Sequence, residues 1–183
     1  MNLGLLLIRL VGLVFASHGA QKLFGWFDGP GITGGTAGFQ FLGLRPAKAH
    51  FVAAGVFELG GGLLLAAGLF TPVAALAFTA TMTTAIVLVH LSKGFFAGKG
   101  GYEYNLVLVL VALGIAAVGP GEWSLDNAFG IDWSGAGWAI AAAVLGVLGG
   151  LLVIVSSRAL VAREPAPPAS AGAPSGEPSS PPS

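Results

Sequence analysis

The feature that most constrains this chain is a carboxylate placed where a carboxylate is costly. Residues 51–70, FVAAGVFELGGGLLLAAGLF, form an apolar run whose single ionisable side chain is Glu58. At about 1.5 Å rise per residue, twenty helical residues span about 30 Å, the thickness of a bilayer core. A charge inside such a span costs about 2.5–3.5 kcal/mol on insertion scales unless a partner or water compensates it. Gly60, Gly61 and Gly62 follow the acid at once, and small residues let membrane helices approach closely. The remaining sequence has to supply what compensates Glu58.

Only 9% of the residues are charged, against about 25% in a soluble domain. With 55% hydrophobic residues and a mean hydropathy of +0.84, lipid is the natural solvent. The expected fold class is therefore an all-α membrane protein. The chain has no Cys, which excludes disulfide exchange, thiolate catalysis and Cys-ligated iron–sulfur or zinc sites. A formal net charge of zero carries no footprint of nucleic-acid binding.

Taken in order, residues 3–24 read as a first span interrupted by Arg9, His18, Gln21 and Lys22. A cleaved signal peptide ending near residues 16–20 needs a basic segment ahead of its apolar core. Arg9 lies inside the core instead, so a retained span is expected. Gly29-Pro30-Gly31-Ile32-Thr33-Gly34 formally matches G-x-G-x-x-G, but the dinucleotide reading needs a strand before it and a helix after it. Residues 36–44 read as an interfacial or re-entrant helix, and Pro46 as a first-turn proline opening span 2. Thr71-Pro72 turns the chain into span 3, residues 73–91. Glu103 and Asn105 open span 4, which Gly119-Pro120-Gly121 ends. Span 5 covers about residues 135–155. From 159 onward the Pro/Ser-rich sequence is too poor in apolar bulk to fold and reads as a disordered cytoplasmic tail.

With five spans, Lys22, Arg45, Lys48, Lys93, Lys99, Arg158 and Arg163 share one face, while Glu122, Asp126 and Asp132 share the other. Positive loops stay cytoplasmic. The expected topology is an N-terminus outside and a C-terminal tail inside the plasma membrane.

Helix rise places His18, Lys22, His90 and Glu103 in one cytoplasmic layer with Glu58 beneath it. Arg9 points away, nearer the outer face, although its long side chain has the reach to approach Glu58 from below. The candidate partners of Glu58 are Arg9, Lys22 and His18. Each polar group also has a bland reading: a structural ion pair for Glu58, carbonyl-bonded helix ends for His18 and His90, snorkelling for Lys22 and Lys93, and helix capping for Glu103. A bis-histidine haem or a metal held by His18, His90 and Glu103 is chemically acceptable, but no spacing demands either, and no metal site is expected.

Several of these motifs together resemble the DoxX family of small bacterial membrane proteins. They are Arg9, His18-Gly19-Ala20-Gln21-Lys22-Leu23-Phe24-Gly25, Glu58-Leu59-Gly60-Gly61, His90 with Gly94-Phe95-Phe96, Gly100-Gly101-Tyr102-Glu103, and Gly119-Pro120-Gly121 with Ser124-Leu125-Asp126. The resemblance implies a four-helix transmembrane bundle over residues 1–126, with 127–158 as an added helix and 159–183 as the tail. It also implies a link to membrane oxidoreductase systems, some of them quinone-reducing. On that basis Glu58, His18, Lys22 and Glu103 are the candidate catalytic, proton-handling residues. His90, Arg9 and Gln21 are the candidate cofactor-binding residues, with quinone as the implied ligand. The expected partners are the lipid bilayer, a protein at the cytoplasmic face and a second copy of the chain. Two other readings stay open at this stage: a proton-coupled small-solute transporter, and a non-catalytic scaffold for a soluble partner. So does the question whether the chain is itself an enzyme.

Overall fold

The structure, a computed structural model, describes residues 2–161. The sequence beyond that, Arg163 and most of the expected tail included, lies outside the described residues. The architecture is all α, with no strand among the described residues. Helices α1 (Asn2–Arg9) and α2 (Val11–Phe24) make one span interrupted at Leu10. The short α3 (Gly31–Phe41) follows, and then α4 (Ala47–Ala67). Helix α5 (Thr71–Ala85) continues through a π-helical turn at Ile86–His90 to Lys93. Helix α6 (Glu103–Val118), the four-residue α7 (Leu125–Ala128) and α8 (Ala136–Val161) complete the chain.

Four segments are long and apolar enough to cross a membrane: Asn2–Phe24, Ala47–Ala67, Thr71–Lys93 and Ala136–Val161. Helix α6 is equally apolar but, at 16 residues, only about 24 Å long. Several boundaries differ from the sequence reading; Thr71-Pro72, expected as the turn into span 3, is the first turn of α5. The interfacial helix begins at Gly31, five residues earlier than expected, because Pro30 and Gly31 can start a helix after the Gly29 turn. Span 2 begins at Ala47, directly behind Pro46, which takes the cap position and not the first turn. Helix α8 runs three residues past Arg158.

Glycine decides the packing. Helix α2 lies against α4, and a Cβ on Gly12 would overlap the Gly62 carbonyl, just as one on Gly62 would overlap that of Gly12. Gly19 meets the Leu59 backbone in the same way, one heptad along. Of the Gly60–Gly62 triplet, Gly61 packs on Ala77 and Gly62 on α2, whereas Gly60 faces open space. Helix α8 is no loose addition. Gly146 and Gly150 seat it on Thr79 and Ala80 of α5, Thr84 Oγ1 donates to Gly150 O at 3.2 Å, and it also touches α6. The apolar core runs through the middle, from Phe15 and Leu65 to Phe78, Leu108 and Ala142.

The spans alternate in direction, so the bundle has two chemically distinct ends. Lys22, Arg45, Lys48, Lys93, Lys99 and Arg158 gather at one, the basic end. At the other, Arg9 is buried and donates to Ala67 O at 3.3 Å and Trp123 O at 2.5 Å. There Asp126 accepts from Phe70 N (2.8 Å), Thr71 N (3.2 Å) and Thr71 Oγ1 (2.7 Å). The carboxylate thereby satisfies orphan donors at the α5 N-terminus, where negative charge is favoured.

Candidate functional site

Glu58 lies in the middle of α4, 5% exposed, and its Oε2 is 2.5 Å from Lys22 Nζ. The sequence reading set Glu58 below the layer holding Lys22. Side-chain direction closes that gap. Helical side chains lean toward their own N-terminus, so on antiparallel α2 and α4 Lys22 leans inward from the basic end and Glu58 leans outward to meet it. Glycine contact at Gly19 brings the two backbones near enough for the bond. Of the three expected partners of Glu58, Lys22 is the one that bonds it.

His18 is exposed, with Nδ1 3.2 Å from Gln21 Oε1, and Gln21 Nε2 donates to Phe27 O at 3.1 Å. That chain assigns the proton to His18 Nδ1. His90 Nδ1 sits 2.7 Å from Gly100 O. A carbonyl oxygen only accepts, so this ring also carries its proton on Nδ1. In that tautomer Nε2 of each neutral ring carries the lone pair. Glu103 does not join this group. Its Oε2 accepts from Ala97 N at 2.9 Å and pins the loop that carries Ala97, Gly100 and Gly101. Arg9 belongs to the Asp126 end and contributes nothing to the Lys22–Glu58 pair.

The pair divides two cavities. One, about 360 Å³, is lined by His18, His90, Tyr104, Asn105, Phe15 and the Gly100-Gly101 loop. The other, about 420 Å³, is an apolar groove between α4, α5 and α8, covered by Phe39, Leu42 and Leu44 from α3 and the turn after it. Lys22, Glu58 and Ala85 line both. Ala85 is the last residue of α5 before the π-helical turn. That turn widens the helix where it borders both cavities, a recurrent feature of functional sites.

Sequence reasoning passed over His50. It lines the groove, and its Nε2 lies 3.1 Å from Arg45 O and 3.2 Å from Ser157 Oγ on α8. The signal was present: His50, Ala54 and Glu58 follow at four-residue steps along one helix face. The apolar run begins at Phe51, one residue past His50, so His50 drew no role from it. Asn105, expected only to open span 4, is buried and donates to Met82 Sδ at 3.1 Å.

The DoxX family model matches residues 4–91, which takes in Arg9, the His18–Lys22 segment, Glu58 and His90. A Bacillus subtilis protein named "Putative oxidoreductase CatD" is 32% identical over 126 residues, covering 68% of this chain and 86% of its own length. The chain belongs to the DoxX family. The uncharacterized membrane protein Rv3486 of Mycobacterium tuberculosis is 37% identical over 130 residues, 64% of this chain and 76% of that one. An uncharacterized Haemophilus influenzae protein is 32% identical over 124 residues, 66% and 85% respectively. No solved structure matches.

Proposed function

We propose that this DoxX protein is the membrane subunit of an oxidoreductase system and handles protons for a quinone-type carbonyl ligand at the Lys22–Glu58 pair. The observation that carries this reading is the position of the pair, as the shared wall between an apolar groove and a second cavity that His18, His90, Tyr104 and Asn105 line. The donor set fits such a ligand. An ammonium group can donate to a carbonyl oxygen, and a buried carboxylate can accept and return a proton.

Reduction of a quinone to a quinol takes up two electrons and two protons. A soluble redox protein docked at the basic face supplies the electrons, since a chain without Cys cannot build a thiolate-held cluster. Lys22 and Glu58 hold and move the protons. His18 and His90, each with a basic Nε2, exchange them with water at the basic end, which is the cytoplasmic side in this reading. Gln21 orients His18, and Glu103 shapes the cavity through the loop it pins. The oxidoreductase name of the Bacillus subtilis relative supports the same class.

The test is quinone reduction in inverted membrane vesicles supplied with the cytosolic fraction. Glu58→Gln is expected to lower the rate at least tenfold while the protein stays at wild-type level in the membrane. An unchanged rate, together with no quinone retained on the purified wild type, overturns the proposal.

A further inference from the structure

The groove between α4, α5 and α8 is walled by the family-matched helices α4 and α5 on one side and by α8 on the other. We infer that it is the binding site for the hydrocarbon tail of a single-chain amphiphile, entered sideways from the bilayer, with α8 as the wall that limits tail bulk. The identity of the head group rests on the quinone reading above; the tail site does not.

The groove's volume, about 420 Å³, falls within the range of about 300–1,000 Å³ typical of ligand sites. Its space exists because the walls are built from small residues: Ala53 and Ala54 of α4, Ala80 and Ala85 of α5, Gly149 and Gly150 of α8. Ala53, Phe57 and Leu145 are exposed at its rim, on the surface that faces lipid. Its ionisable side chains sit at two levels only. His50, bonded to Ser157, closes the basic end, and Lys22–Glu58 stands about 12 Å deeper, eight residues along α4. An apolar passage open to lipid and ending on a buried ion pair suits an amphiphile whose polar head reaches the pair while its tail stays among methyl groups.

Helix α8, which builds one wall of the groove, lies beyond the residues matched by the family model. Its two groove glycines differ. A Cβ on Gly150 would fall 2.6 Å from Ala80 O, so Gly150 serves helix contact. A Cβ on Gly149 would meet nothing closer than Ala80 Cβ at 4.0 Å, so a side chain there fills the groove without moving the backbone.

The experiment is native mass spectrometry of the full chain released from mild detergent, with decanol, decyl-benzoquinone and tailless benzoquinone as probes. Wild type is expected to retain both tailed probes. Gly149→Leu should lose them at least tenfold, leave tailless benzoquinone unaffected and match wild type in thermal stability. Gly137→Leu, on an exposed part of α8 with open space around it, should bind like wild type. If Gly149→Leu lowers stability, Ala53→Phe fills the groove from the α4 wall and decides the matter by the same loss. Tailed adducts indifferent to both groove variants are annular lipid-like binding and overturn the inference, as does a wild type that retains neither tailed probe. Decanol held in a Gly149-dependent way, with no preference for decyl-benzoquinone, keeps the tail site and removes the quinone reading.

Discussion

Gly12 and Gly62 meet backbone against backbone, each occupying the place where the other's Cβ would collide with its carbonyl oxygen. This contact fixes the register of α2 on α4, and the register delivers Lys22 to Glu58.

A side chain at Gly62 therefore has to separate the two helices. Gly62→Val is expected to lower stability by about 1–3 kcal/mol, the usual cost of overpacking. Gly60→Ala, which points into open space, should stay within about 0.5 kcal/mol. Thermal unfolding in detergent compares the two directly.

Removing one partner of the buried pair should cost more than removing both. Lys22→Met leaves an uncompensated carboxylate in the span and is expected to destabilise by about 3–5 kcal/mol. Lys22→Met combined with Glu58→Leu should recover most of that loss, because no buried charge remains. A double-mutant cycle by thermal unfolding measures the coupling, and additive losses would show that the pair is not a unit.

At the opposite end, Asp126→Ala removes an acceptor shared by three donors of Phe70 and Thr71. It also removes a negative charge that acts on the buried Arg9. A hydrogen bond to a charged group contributes about 1.5–3 kcal/mol, so a loss of at least about 3 kcal/mol is expected for the variant. Asp126→Asn, which keeps an acceptor oxygen, should lose less. Hydrogen exchange at the α5 N-terminus should rise in Asp126→Ala before it rises in the core.

The charge separation between the two ends predicts orientation. A reporter fused after Ser183 should be active only in its cytoplasmic form, and one inserted among residues 122–134 only in its exported form. The reverse pattern would turn the protein over and place the His18–His90 cavity outside.

Much of the fold was legible in the sequence because a bilayer imposes a length and a charge rule on every span. Those rules gave the all-α class, the alternating direction of the helices, the common face of Lys22, Arg45, Lys48, Lys93, Lys99 and Arg158, and the demand that Glu58 be compensated. Neither rule specifies how two helices are rotated or slid against each other. That depends on backbone contacts at Gly12, Gly19, Gly62, Gly146 and Gly150, and a glycine in a chain of thirty such residues does not reveal its neighbour. The tertiary structure therefore decided that Lys22 and not Arg9 bonds Glu58. It also assigned Arg9 to the Asp126 end, made His50 a wall residue and set α8 against a groove that no single helix could have formed.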